Sequence, residues 1–403
     1  SRAAARTGVH RVVPGPSKLR IAIVGPTHPF RGGIAHHTTL LFRHLKERHD
    51  TRLFAFRRQY PMWLYPAETD RDPSDVPVVE PGVVHALDSM NPFSWIGVAR
   101  AIRRFNPDAV IIPWWVAFWA PQMWTIARMV RWRRSTRVIF ICHNVVEHEP
   151  SLLRAFLARR ALAAGSAYIV HSDEDRANLE RAIPGALVEK SPLASFGEVA
   201  VRRATRDDAR GRLGFASDER ILLFFGFVRP YKGLRRVIDA LPAILDRVPV
   251  RLVVAGEFWH DRQSYFDRIA ELDLSDRVTI VDRYVPNEEV GDLFAAADLV
   301  VQPYETATQS AVTQLAFDVG RPVVVTRVGG LPETVDDRVT GYVVPPGDSA
   351  AIAEAVVDFF ENDRGAAMQQ AVQQSRDRFG WEHFVDAVER VIARCDRDDP
   401  LPV

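Results

Sequence analysis

Two cations stand close together in the stretch GFVRPYKGL, which runs from Gly226 to Leu234. Arg229 and Lys232, bracketed by Gly226 and Gly233, read as a turn at the head of a helix. Such a turn can cradle a phosphate, because free N–H groups and permanent positive charge point the same way. The bland reading of that spacing is a basic turn with solvated side chains. A second reactive place is the polar run Thr306 to Ser310, which precedes a helical pattern on Val312, Leu315, Ala316 and Val319 that ends at Gly320. Its turn offers backbone N–H groups to anions or sugar hydroxyls. Gly32-Gly33 open a helix after an apolar strand, and glycine lets backbone approach a ligand closely. They can equally just make the turn, and the GxGxxG spacing of a dinucleotide site is absent. His143-Asn144 and Glu147-His148-Glu149 follow another strand. Their spacing does not fit the helical HExxH pattern, so metal binding is the weaker reading, and His143 could also be bonded within the core. Arg57 and Arg58 lie in an irregular loop, 57–80, that follows the end of a strand, where contacts to an acceptor would lie; a charged loop is otherwise just solvated.

These groups need a scaffold that brings strand ends together. Leu19–Val24, Thr51–Phe56, Val83–Leu87, Ala109–Ile112, Val138–Cys142 and Ala167–Val170 are short apolar runs, read as buried strands. Helical patterns alternate with them. Residues 191–207 lose periodicity and read as a linker, after which Arg220–Phe225, Val250–Ala255, Arg277–Val281, Ala297–Val301 and Val323–Thr326 continue the strand series. Two runs of βα units predict an α/β chain with two Rossmann-like doubly wound domains, 18–195 and 205–378, facing a central cleft. In such sheets ligands bind beyond the carboxyl ends of the strands.

The totals narrow the function classes. In 403 residues, Lys plus Arg is 52 and Asp plus Glu is 51, so global charge gives no argument for nucleic acid. Cys142 and Cys395 are the only cysteines and match no metal spacing, which suggests reduced thiols and a cytoplasmic setting. No apolar run approaches the ~20 residues of a membrane span. The polar leader Ser1 to Ser17 reads as a disordered tail or a non-native cloning remnant, and without an apolar h-region it does not read as a signal peptide. The stretch from Pro113 to Arg137 holds Trp114, Trp115, Trp119, Trp124 and Trp132 with five arginines. It is either a core helix with a basic last turn or an aromatic, cationic surface for an anionic bilayer or a lipid-linked acceptor.

The order of Gly32-Gly33, His143-Asn144, the Gly226–Gly233 turn, Val253-Val254-Ala255-Gly256-Glu257 and the block GRPVVVTRVGGLPE…TGYVVPPGD resembles a glycosyltransferase of the GT-B fold. More narrowly it is similar to the retaining family 4 enzymes. The resemblance implies transfer of a sugar from a UDP- or GDP-linked donor to a glycan or lipid-linked acceptor, with no metal and no further cofactor. It implies catalytic roles for His143, Arg229 and Lys232. Donor contacts would come from Gly33, Gly226, Glu257, Tyr284, Val285, Thr308, Gln309, Ser310 and Ala311. Asn144, Glu147, Arg57 and Arg58 would face the acceptor. The last helix, within 379–403, would cross back to the first domain, and peripheral contact with the inner membrane face is a further expectation. The sequence departs from the family where two glutamates are usual: Ala307 and Leu315 stand there. Glu305 and Gln314 are the expected substitutes. Phe227 stands where an arginine is common. The competing functions are a nucleotide-sugar epimerase of the same architecture and a catalytically silent nucleotide-sugar binder.

Overall fold

A computed structural model describes residues 18–65, 67–132, 135–145, 152–200 and 204–395. The first domain is a parallel sheet of β1 (Arg20–Gly25), β2 (Asp50–Arg58), β3 (Val84–Asp88), β4 (Ala109–Trp114), β5 (Arg137–Cys142), β6 (Ala167–Val170) and β7 (Val188–Lys190). Its order is β3-β2-β1-β4-β5-β6-β7. Its helices are α1 (Gly33–Arg48), α2 (Pro92–Phe105), α3 (Ala120–Arg131), α4 (Leu152–Leu162) and α5 (Asp173–Ala182). The second sheet holds β8 (Ile221–Phe225), β9 (Arg251–Ala255), β10 (Val278–Val281), β11 (Leu299–Gln302), β12 (Val323–Thr326) and β13 (Gly341–Val344), in the order β10-β9-β8-β11-β12-β13. With it go α6 (Arg206–Leu213), α7 (Leu234–Leu245), α8 (Arg262–Glu271), α9 (Asn287–Ala296), α10 (Ala311–Asp318), α11 (Leu331–Thr334), α12 (Ser349–Glu361), α13 (Gly365–Ser375) and α14 (Trp381–Arg394).

The central strands are apolar on both faces because helices cover both. All six residues of β4 and of β5 are buried, as a parallel sheet requires. In each sheet the strand order reverses once, between β1 and β4 and between β8 and β11. The Gly32-Gly33 turn leaves β1 at the first reversal. The turns after β8 and β11 leave at the second. The fold therefore aims all three glycine-rich or polar turns at one crevice.

β7 and β13 are strands of three and four residues that the sequence pattern does not mark. Such short runs carry too few side chains to show alternation. α14 packs on α1, β6 and β7 of the first domain. Its Trp381, Phe384, Val388 and Val391 join the core cluster that also contains Leu40 and Ile169, and Arg390 and Arg394 bind Glu189 beside it. No described helix is long and apolar enough to cross a membrane.

Candidate active site

Between the domains lies a cavity of about 320 Å³, and a wider chamber of about 870 Å³ adjoins it. Residues of both domains line each. The first turn of α1 and the first turn of α10 meet across the small cavity: a Cβ placed on Gly33 would sit 3.7 Å from the Ala311 Cβ. Two helix N-termini, with their free first-turn N–H groups and positive dipole ends, thus converge on one space, α10 carrying one side-chain cap and α1 none. Gly32, before α1, makes no side-chain cap. Ser310 caps α10 by accepting from the Val312 N–H at 3.2 Å, and Thr308 to Ala311 line the cavity around it.

Lys232 enters from the turn after β8. Gly233 follows it in the left-handed region, with φ 68°, and a Cβ there would strike the Pro303 carbonyl oxygen at 2.0 Å. Only glycine lets the two turns touch. The Lys232 ammonium lies 5.1 Å from the Tyr304 ring centroid and beside Gly226, where a Cβ would be 3.2 Å from Nζ. No carboxylate pairs with Lys232 among the described residues. Burial, opposed in part by Tyr231, pulls its pKa below the ordinary lysine value. Arg229 faces the wider chamber, its guanidinium 5.2 Å from the Tyr231 ring and 5.3 Å from the Trp259 ring.

His143, at the end of β5, lines the small cavity and belongs to a buried set with His37 and His171. Their bonding fixes the protons. The Ser191 carbonyl can only accept, so His171 Nδ1–H donates to it, at 3.0 Å. His171 Nε2 is then an acceptor, and His143 Nδ1–H donates to it at 3.2 Å. His143 Nε2 is left unprotonated, buried and without a partner among the described residues. It is a buried acceptor on a residue that lines the small cavity. Burial first, then the neighbouring His37 and His171 rings, drive the His143 pKa well below the ordinary value, and burial brings His171 down to about 4. All three rings stay neutral at physiological pH.

The domains are tied across the crevice. Thr308 Oγ1 donates to the His143 carbonyl at 2.7 Å, and Gln309 Nε2 to the His171 carbonyl at 3.2 Å. Arg31, its side chain 4% exposed, pairs with Glu257 at 2.7 Å. Its guanidinium lies 5.0 Å from the Tyr284 ring centroid and 5.5 Å from that of Phe227. The hydroxyl of Tyr284 bonds to the Gly32 backbone, and burial raises its pKa.

Several expected residues lie elsewhere. Arg58 is held by Asp88 through two bonds of 2.9 and 2.7 Å, and Arg57 also leans on Asp88. Neither lines the cleft; Gln59, Tyr60, Trp115 and Arg154 do. Glu305 binds Arg236 at 3.1 Å and faces the wider chamber, whereas Ala307 lines the small cavity. Gln314 is buried in α10 off the cavity, whose wall is instead Val312 and Leu315. Asn144 lines both spaces and donates to the Trp115 carbonyl at 3.2 Å. Gly226, Val285 and Glu257 line the small cavity. Glu147, with His148 and Glu149, lies outside the described residues. Sequence reasoning missed Arg31, His37 and His171. The signal for Arg31 was its place directly before Gly32-Gly33, and that for His171 its place directly after the strand Ala167–Val170.

The sequence pattern described as "Glycosyl transferases group 1" matches residues 219–362, and that described as "Glycosyltransferase Family 4" matches residues 31–189. Together they take in most of both domains. The chain belongs to the glycosyltransferases of the GT-B fold. This glycosyltransferase is 29% identical over 245 residues to a D-inositol 3-phosphate glycosyltransferase of Saccharomonospora viridis, covering 57% of this chain and 56% of that protein. It is 34% identical over 203 residues to D-inositol 3-phosphate glycosyltransferase 1 of Catenulispora acidiphila, covering 48% of this chain and 47% of that one. The chain thus spans about half the length of the curated relatives it matches. The crystal structure of Anabaena Alr3699/HepE in complex with UDP superposes over 93% of this chain and 100% of that one, with a TM-score of 0.71 and 18% identity. At that identity the likeness speaks for the fold.

Proposed function

We propose that this glycosyltransferase moves a sugar from a nucleoside diphosphate to a glycan or lipid-linked acceptor, with retention at the anomeric carbon and without a metal. The observation that carries the reading is Lys232: a cation with no carboxylate partner among the described residues, set where two helix N-termini converge. As the sugar–phosphate bond breaks, negative charge grows on the diphosphate. Donors already aimed at that charge lower the barrier. The UDP bound by HepE supports a diphosphate in the corresponding fold.

Retention is supported by what the small cavity contains. Glu257 is the single carboxylate among its described lining residues, and Arg31 already holds it. No other side-chain carboxylate there offers a nucleophile for a covalent intermediate, and burial makes the His143 imidazole a weak base for an attack from behind the sugar. The acceptor oxygen would then attack on the leaving-group side and give its proton to the departing phosphate oxygen. His143 Nε2 would accept from a sugar hydroxyl and orient the ring. The names of the relatives point to a small polyol phosphate as one acceptor to try.

The test is to follow a panel of UDP- and GDP-sugars by NMR, with and without acceptors, in buffer containing excess EDTA. The reading expects a product whose anomeric coupling matches the donor's, at a rate EDTA leaves unchanged. A donor isomer formed without acceptor would assign an epimerase. Tight donor binding with no turnover on any acceptor would assign a silent binder.

A further inference from the structure

The helices α2, α3 and α4 pack side by side, in that order, on one face of the first domain. They contain three, two and three arginines and not one Asp or Glu, in a chain whose acids and bases balance as a whole. Two of these arginines have structural duties. Arg103 donates to the carbonyls of Met129 and Trp132 at the end of α3. Arg131 does the same for Ala164 and Gly165 after α4. Arg100, Arg104, Arg128, Arg159 and Arg160 are exposed and have no ion pair among the described residues. Elsewhere many exposed arginines are paired, as Arg48 is with Asp386, Arg212 with Asp292 and Arg390 with Glu189. Those with no ion pair among the described residues, such as Arg52, Arg277 and Arg327, do not share one packed layer of helices.

The same face exposes large apolar side chains. Leu152 is 93% exposed, Phe93 83%, Leu153 67% and Phe156 60%, with Trp124 beside them. Parallel crossovers put the N-termini of all three helices at the carboxyl ends of the strands, which is the cleft side. Phe93, Trp124, Leu152, Leu153 and Phe156 all lie in the N-terminal halves of their helices. Arg154, in the first turn of α4, lines the wider chamber. The apolar tips therefore rim the acceptor side of the crevice, and the unpaired arginines lie further along the same helices.

We infer that this face docks on an anionic lipid bilayer, with the apolar tips in the headgroup–acyl boundary and the arginines over lipid phosphates. Charge complementarity selects that occupant: a layer with unpaired cations and no carboxylate suits a negative surface, and exposed Phe, Trp and Leu suit an interface. The chamber mouth would then open at the membrane, where a lipid-linked acceptor stands. That last point rests on the proposed transfer reaction; the docking does not, so the two fail separately.

The test is cosedimentation of the full chain with vesicles of phosphatidylcholine alone and of phosphatidylcholine mixed with phosphatidylglycerol. Binding is expected only to the anionic vesicles and should weaken as salt is added. The variant Arg128→Gln/Arg159→Gln/Arg160→Gln should lower the partition coefficient by on the order of a hundredfold, about fivefold per arginine. Leu152→Ser/Phe156→Ser should lower it independently. Retention of the thermal shift produced by UDP or GDP shows that each variant is folded. No association at low salt, equal binding to neutral vesicles, or wild-type binding by the arginine variant overturns the inference. Lipid-free self-association abolished by Leu152→Ser/Phe156→Ser would also overturn it and give the face to a second copy of the chain.

Discussion

Replacing Lys232 by Met separates charge from packing, because the two side chains fill similar volumes. The Lys232 ammonium faces the small cavity beside Gly226 and Tyr304. A cation ~4 Å from a phosphate oxygen at an effective dielectric of about 20 is worth roughly 4 kcal/mol. Losing one preorganised charge-stabilising group in other enzymes costs about 2.7–4 kcal/mol. The expected fall in kcat for Lys232→Met is thus about 10²- to 10³-fold. The same substitution should raise the melting temperature of the unliganded protein, since burial disfavours this charge and no carboxylate offsets the cost. The sign follows from linkage. The folded pKa lies below the unfolded 10.5, so the charged lysine weakens folding below the folded pKa, and the penalty fades as pH rises toward 10.5. The gain for Met should be largest near neutral pH. Each kcal/mol moves the midpoint by about 2–4 °C in domains of 150–250 residues. Steady-state transfer and scanning calorimetry on one preparation give both numbers. Wild-type turnover by the variant would refute the leaving-group role. A fall in both rate and melting temperature would refute the picture of an uncompensated cation.

Three further outcomes follow from the site. Leu315, not a carboxylate, stands on the cavity wall with Val285 and Val290. A 2′-deoxy analogue of the accepted nucleoside diphosphate should therefore bind within about tenfold of the parent by calorimetry; loss of 10⁴-fold or more would mean that a buried group does read the ribose. His171→Phe removes the acceptor for His143 Nδ1–H. Donor kcat/KM should fall roughly ten- to a hundredfold, as a stranded buried donor costs about 1–3 kcal/mol, and ¹⁵N spectra should show His143 leaving the Nδ1–H tautomer. An unchanged tautomer would break the proton chain drawn from Ser191. Asp318 accepts from Ser195 Oγ and the Phe196 N–H, and burial raises its pKa to about 6. It holds a proton in the folded state that the unfolded chain, at 3.8, has lost. Its stabilising contribution is present below about pH 4 and is lost as pH rises to about 6, by at most roughly 3 kcal/mol. Denaturant melts of Asp318→Asn should lack that component; the same pH slope as wild type would contradict the assignment.

What the sequence makes legible here is what its local pattern encodes. Parallel strands buried on both faces appear as apolar runs, and glycine turns at their ends mark where backbone must approach something. Lys232 was visible for that reason. The contacts between distant segments were not. The imidazole set takes His37 from α1, His143 from the end of β5 and His171 from the end of β6, which become neighbours only through sheet order. Arg58 looked free because Asp88, its partner, sits on the adjacent strand thirty positions away. The tryptophan-rich stretch divided in a way composition could not show. Trp114 and Trp119 are core residues, while Trp124 and Trp132 face outward, since α3 starts only at Ala120 and sets the phase from there. In α4 the order LLRAFLARRAL gives no strong amphipathic signal, yet its first turns are exposed.

The departures from the family pattern become intelligible together. Phe227 packs on Trp259 with ring centroids 4.4 Å apart, and Arg31 comes over Phe227 from the other domain. A cation therefore does reach the position that the sequence appears to leave without one, but it arrives across the crevice and only while the domains are together. That arginine is not a spare charge for a diphosphate, because Glu257 neutralises it. Arg229, stacked near Tyr231 and Trp259, faces the wider chamber. Of the four cations that line the crevice among the described residues, Arg31, Arg154, Arg229 and Lys232, Lys232 alone both lines the small cavity and lacks a carboxylate partner there. The chemistry proposed for this cleft therefore places more weight on one ammonium and two helix N-termini than the family pattern does, and the loss on removing that ammonium should be correspondingly hard to compensate.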